Sequence, residues 1–324
     1  MYWIALLSIL TSAPDDALFS GPLPYTVDQP PPPPLLSEDD QLVDSRQGFN
    51  VILGTALSLN SDTAFPRFIG PSSNPWLAKD PRSLTEARLL GVLNWTPAEH
   101  AWDSNLSQMY LLQGRLALNK QWSVFLDKFG YSFLDRGSSG TVDGWNNLGI
   151  GTKYVLIRDV ENQFLLSAAL QYEAPTGEAS VYQRPSDGSI TSILTAGKEL
   201  FCFWHVLGNL GVRAPLSNES STLLFSQLHL DYEIAGWLHP LVELNYYRIL
   251  SEGRGVYPSS FGQGDAFLDW SVPGTLNSDL VTIAAGFRAK CNRSMEFGVT
   301  YERPLSETPR LIEHRVIAEL ILRY

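Results

Sequence analysis

The sequence predicts an all-β fold: a closed antiparallel transmembrane β-barrel of about twelve strands, with short periplasmic turns at one end and long extracellular loops at the other. Three observations predict it. From about residue 85 the chain alternates apolar and polar residues in segments of about ten, the signature of strands whose two faces meet different surroundings. The connections between these segments alternate between short and long. The last segment is amphipathic and ends on an aromatic residue, Tyr324.

The alternation places strands at 85–95, 106–118, 121–131, 145–156, 163–174, 190–200, 203–213, 222–234, 238–249, 278–290, 294–302 and 311–324. The short connections are 119–120, 158–162, 201–202, 235–237 and 291–293, and the interleaved long ones are 96–105, 132–144, 175–189, 214–221, 250–277 and 303–310. A barrel in an outer membrane segregates connection length in this way, whereas a soluble sandwich has no reason to. Asn119, Asn162, Cys202 and Cys291 are therefore expected at one rim, and Asp143, Asp187, Asn218 and Asp265 at the other. The two cysteines then sit in different turns, farther apart than the roughly 7 Å that a disulfide spans between Cα atoms.

In the last strand Val316, Ala318, Leu320, Leu322 and Tyr324 share one face, and Arg315, Glu319 and Arg323 the other. The first set suits lipid and the second a polar lumen. By the same reading Glu86, Arg88, Arg115, Lys153, Glu173, His229, Asp231, Glu243, Arg288, Glu296, Glu319 and Arg323 are lumen candidates. A hydrated lumen would tolerate a polar replacement at Glu319. The longest loop, 250–277, carries Tyr257, Phe261, Phe267 and Trp270 with Asp265 and Asp269. Folded inward, it would bury its rings and present both carboxylates to the pore as a constriction favouring cations or neutral solutes; folded outward, it would pack on neighbouring loops.

Ahead of the barrel, residues 1–13 join an apolar stretch, Trp3 to Leu10, to the small residues Thr11-Ser12-Ala13, as a signal peptide does, although no Lys or Arg precedes them. Residues 14–83 form an N-terminal extension. Pro30 to Pro34 and the acidic Ser37-Glu38-Asp39-Asp40 make its first part an extended tether, and the whole is placed in the periplasm or partly inside the lumen. Residues 49–60 also alternate, but a further strand would make the count odd, so the barrel is taken as 84–324.

Composition excludes other classes. With 44% apolar residues the chain is not disordered, and its longest strongly apolar run, Met1 to Leu10, is too short for a membrane-spanning helix. A net charge of -11 with only 23 Lys and Arg argues against nucleic acid. His100, His205, His239 and His314 are scattered, and with two cysteines and no CxxC the spacing indicates no metal and no cofactor. His229 and Asp231 share a face, but Ser226 lies on the opposite one and no GxSxG exists. Gly149-Ile150-Gly151-Thr152 lies within a strand pattern and lacks the helix a phosphate loop needs. No enzyme is read here. Nothing in the sequence couples energy, so any transport is passive.

Asn74-Pro75-Trp76, the run Asp80 to Arg88, Gln113-Gly114-Arg115, Gly149 to Tyr154, Tyr172 to Gly177 and the terminal Ile321-Leu322-Arg323-Tyr324 resemble a family of largely uncharacterised bacterial outer-membrane barrels. The resemblance covers about residues 70 to 324, roughly three quarters of the chain. More distantly the chain is similar to barrels assigned to meta-pathway phenol-degradation transport. The resemblance implies a place in the bacterial outer membrane in contact with its lipid, insertion by the barrel-assembly machinery through the strand ending at Tyr324, and passage of small solutes, including hydrophobic or aromatic ones. Two other readings stay open at this point: a filled, non-conducting barrel with a structural, adhesive or hydrolytic role, and a soluble β-sandwich that binds carbohydrate.

Overall fold

A computed structural model describes residues 59–98, 100, 102, 105–183, 187–201, 203–254, 265–268, 274–307 and 311–324. The strands are β1 (Glu86–Trp95), β2 (Leu106–Ala117), β3 (Trp122–Asp135), β4 (Thr141–Trp145), β5 (Leu148–Asp159), β6 (Phe164–Ala174), β7 (Ser189–Leu200), β8 (Trp204–Pro215), β9 (Thr222–Tyr232), β10 (Leu238–Ser251), β11 (Asp279–Lys290), β12 (Met295–Pro304) and β13 (His314–Arg323). Neighbours in sequence pair antiparallel around the sheet, and β1 pairs with β13 from Glu86↔Arg323 to Trp95↔His314, which closes the barrel. The short β4 pairs with the far half of β3 and β5 with its near half, so the two share one place in the wall. Thirteen segments thus fill twelve positions.

That interruption corrects the connection expected at 132–144. Alternation continues past Tyr131, with Ser132 and Leu134 inside and Phe133 outside, and the chain turns tightly at Gly137–Ser139 and Gly140 before pairing back. Gly137 and Gly140 both have positive φ, 62° and 78°, which makes the tight reversal accessible. Asp143 accordingly lies in β4. The remaining connections alternate as expected: 118–121, 160–163, 201–203, 233–237 and 291–294 are short, and 96–105, 175–188, 216–221, 252–278 and 305–313 are longer. Cys291 is an exposed free thiol in a short turn, while Cys202 lies outside the described residues.

The wall has an apolar exterior and a polar interior. Leu89, Leu170, Leu194, Leu210, Val242 and Leu322 are exposed outward, while Arg88, Gln171, Thr195, Asn209, Glu243 and Arg315 face inward and are buried. A ten-residue strand at about 3.3 Å per residue, tilted by about 40°, covers about 25 Å, the height of an apolar membrane band. Aromatic pairs border both ends of the exterior, Trp122–Tyr154 and Trp204–Tyr232 on the short-turn side and Tyr131–Trp145 toward the long loops.

Besides a register shift at the end of β10, between Ile249 and Ser251, two bulges within strands modify the alternation. Between Leu112↔Phe129 and Gly114↔Leu126 the partner strand β3 carries one extra residue; Lys128 takes φ 58°, and both Asp127 and Lys128 turn inward. In β5 the irregularity between Val155 and Ile157 leaves Leu156 and Ile157 both outside and aims Arg158 at the lumen mouth.

Candidate functional site in the barrel lumen

Residues 62–83 of the N-terminal extension run inside the barrel. Of the two places left open for this extension, residues 62–83 take the lumen: Phe65, Phe68, Ile69, Trp76, Lys79 and Arg82 are all buried. The segment starts at the short-turn rim, where Asp62 meets Arg158 through two 2.8 Å bonds and Lys290 donates to the Pro66 carbonyl at 2.9 Å. It climbs to a reversal at Asn74, φ 53°, whose carbonyl accepts from the Leu77 and Ala78 amides, and descends to Ser83, which donates to Asn119 at 2.7 Å. The buried Asp80–Arg82 pair, with Arg82 also donating to the Phe65 carbonyl, ties the two limbs together.

Every position of the wall touches this segment. Arg88 and Arg288 donate to the carbonyls of Pro71 and Gly70, and Gln113 to that of Pro75 at 2.8 Å. Asp127 pairs with Lys79 at 2.8 Å, and Lys153 donates to the carbonyls of Asp80 and Arg82. Ser167 and Thr195 donate to those of Pro81 and Lys79, while Asn209 accepts from the Lys79 amide. Gln227 donates to Ser73 O, and Glu243 accepts from the amides of Ser72 at 2.8 Å and Ser73 at 2.6 Å. Thr300 donates to the Ser72 hydroxyl, which itself donates to Glu319. Four of these partners, Gly70, Pro71, Pro75 and Pro81, have no polar side chain. The segment is held mainly through its backbone, as a chain free of regular secondary structure must be if its peptide groups are to be satisfied away from water.

The charges named from sequence all face this interior, and most pair along the wall. Glu319 takes Arg88 at 2.6 Å and Arg288 at 2.9 Å; Glu86 takes Arg115 at 2.8 Å and Arg323 at 3.0 Å; Arg323 also reaches Glu296 at 2.5 Å; Glu173 takes Lys128 at 2.6 Å. The expectation that Glu319 tolerates a polar replacement is therefore corrected. Its carboxylate is the shared acceptor of two buried guanidiniums, and a neutral side chain would leave both without their counter-charge.

Toward the long-loop end the filling is apolar: Trp76, Tyr247, Phe267, Leu268, Leu280 and Ile312 pack together, with Trp76 and Phe267 rings 4.7 Å apart. Residues 265–268 of the longest loop lie here, folded inward. Asp265 does not present its carboxylate to a pore, nor does it mark a rim. Arg315 binds it at 2.5 Å, and Trp76 donates to its carbonyl at 3.0 Å, so its charge is neutralised within the packing. Asp269, Tyr257, Phe261 and Trp270 lie outside the described residues.

Two of the histidines that look scattered in sequence, His205 and His239, converge in register with His229, while His100 lies beside Trp102 and His314 bonds Tyr301 on the exterior. His205 pairs across the ladder with Asp231, and His229 with Glu243, on one lumen face. Asp231 Oδ1 lies 2.9 Å from His205 Nδ1 and 2.8 Å from His239 Nδ1, and its Oδ2 lies 3.0 Å from His229 Nε2. His229 Nδ1 lies 2.6 Å from Glu243. Ser226 faces outward, as expected. Ser73 donates to Glu243 rather than to an imidazole, so no histidine is placed to take a proton from its hydroxyl. Sequence reading missed Asp127, Lys128, Lys79, His205 and His239 as interior partners. Two adjacent charges mid-strand, Asp127-Lys128, are the one signal that could have exposed a bulge.

The fold and its interior define a closed antiparallel barrel with an apolar belt, a polar wall and a chain-filled lumen. No protein-family model and no curated protein matches the sequence. Among solved structures, the COG4313 outer membrane channel from Pseudomonas putida F1 superposes with a TM-score of 0.55 at 14% identity, over 79% of this chain and 100% of that one. The NanC porin gives a TM-score of 0.47 at 6% identity over 74% and 98%, and the KdgM porin 0.45 at 10% over 74% and 99%.

Proposed function

We propose that this chain is an outer-membrane channel for passive passage of small solutes, held shut by residues 62–83. One observation carries the reading: the segment bonds to every position of the wall and fully buries inward-facing residues all round it, including Asp127, Ser167, Thr195, His229, Glu243, Thr282 and Thr300, so the lumen is occupied by the protein's own chain while the segment is in place. The wall behind the segment is nonetheless lined with hydrogen-bonding and charged groups, which water can satisfy once the segment leaves. The aromatic residues that remain in the long-loop half when the segment leaves, Trp102, Tyr182 and Phe267, favour apolar or aromatic solutes of the kind the phenol-degradation resemblance suggests. In this reading residues 1–13 are an export signal and the stretch up to residue 58 a periplasmic tether. Lipid surrounds the wall, and the strand ending at Tyr324 is what the assembly machinery recognises.

The contacts of the segment with all twelve positions favour a second reading, a permanently filled barrel. Planar-bilayer conductance separates the two. In a chain with both native cysteines changed to Ser, S72C and T300C place thiols where the two hydroxyl oxygens lie 2.6 Å apart. The channel reading expects the uncrosslinked full chain to open intermittently, the oxidised form to stay silent, and reductant to restore the openings. A full chain that never opens, beside a conducting variant with residues 66–81 replaced by a Gly-Ser linker, would establish the filled barrel instead.

A further inference from the structure

We propose that His205, Asp231 and His239 form a binding site for a divalent transition-metal ion at the short-turn end of the lumen. The proposal is independent of whether the barrel conducts. The three residues come from consecutive strands, β8, β9 and β10, and register brings them together: His205 stands directly opposite Asp231, and His239 is two residues before Leu241, the partner of Asp231 on the other side. One donor atom from each residue lies within 4.8 Å of the others. Ligand atoms around a four-coordinate zinc, at about 2.0–2.2 Å from the metal, stand about 3.3 Å apart, so small side-chain rotations suffice to close the set on an ion. Two imidazoles and a carboxylate are a donor set that suits zinc and its neighbours rather than calcium or magnesium, and a fourth position is left for water or another donor.

The neighbouring groups hold the donor set in place. Both imidazoles spend their Nδ1 on the same oxygen of Asp231, although that carboxylate has a second one. That second oxygen is engaged by His229, which is in turn fixed by Glu243. A carboxylate oriented from behind, with its free oxygen shared by two imidazoles, is the arrangement by which neighbouring groups fix metal ligands. The Nε2 atoms of His205 and His239 are buried and have no hydrogen-bond partner among the described residues. An ion between the Nδ1 atoms would take both rings as neutral ligands, each keeping its proton on the far nitrogen. Phe68 of the luminal segment covers the cluster, its ring 5.3 Å from that of His205, so an ion reaches the site from the short-turn end when the segment shifts.

The test is a zinc titration of untagged full-length chain, stripped with chelator and competed against a chromophoric chelator. H205Q/H239Q, D231N and, as a surface control, H314Q are titrated in parallel. One equivalent is expected in the parent and in H314Q and none in the other two, with heat-modifiable gel mobility confirming that each barrel is closed. X-ray absorption of the zinc-loaded parent should show imidazole scattering in a nitrogen and oxygen shell. No bound zinc in the parent, or equal binding by the parent and D231N, overturns the site. D231N, nearly identical in shape to the parent, decides the matter if the double variant does not fold.

Discussion

Toward the long loops the lumen is packed with Trp76, Phe267, Leu268, Leu280 and Ile312, while its short-turn half is crossed by Arg88, Arg288, Glu319, Arg115, Glu86 and Lys153. The two regions solve the same problem, filling a tube without water, by different means. In this charged belt the carboxylates are doubly served. Glu319 has two guanidiniums and a serine hydroxyl, and Glu86 has two guanidiniums, so each of these carboxylates keeps a cation when one guanidinium is lost. In the apolar half, where buried Lys128 also lies over the Phe267 ring at 5.3 Å, Arg315 is shared by two carboxylates, Asp265 at 2.5 Å and Glu302 at 3.4 Å, and stacks over Trp76 at 5.2 Å. One of two cations on a carboxylate can be lost while the charge stays paired; a cation shared by two carboxylates inside apolar packing cannot.

Removing Arg315 should therefore produce the largest effect. R315A strands two buried carboxylates and is expected to cost about 3–5 kcal/mol in guanidinium unfolding from lipid vesicles. A cost below that of R288A would break the comparison. R288A removes one of two guanidiniums on Glu319 and the donor to the Gly70 carbonyl, and about 1.5–3 kcal/mol is expected in the same assay. The smallest change marks the outer limit of the contrast. Arg248 and Asp279 form an exposed pair at 3.4 Å, and R248A should shift stability by under about 1 kcal/mol, with that small effect vanishing in high salt.

The wall was legible in sequence because each of its residues faces one of two environments, and a period of two records that choice directly. Leu320 outside and Glu319 inside follow from alternation alone. Alternation misled only where the backbone departs from it. At Asp127-Lys128 a left-handed residue puts neighbours on one face, and at 132–135 adjacent apolar residues on opposite faces, Phe133 outside and Leu134 inside, followed by the polar turn Asp135 to Gly140, concealed a strand that continues into a hairpin. The luminal segment was less legible for a different reason. Its anchors are carbonyl oxygens of Gly70, Pro71, Pro75 and Pro81, and every residue type has one. The histidine cluster depends on which strands are neighbours and in what register, information no single spacing carries, since His205 and Asp231 are 26 residues apart and His239 a further 8.

The contacts of Ser72 also bear on the order in which the molecule can be assembled. Ser72 lies just ahead of β1, the first strand of the wall, yet its partners Thr300 and Glu319 are 228 and 247 residues away on the last two strands. Contacts at such separation form late, after the entropy of closing a long loop has been met. The bonds from Ser72 to Thr300 and Glu319 therefore form only once the last two strands stand in place, and the seating of the N-terminal hairpin depends on the completed wall as much as the wall's interior depends on the hairpin.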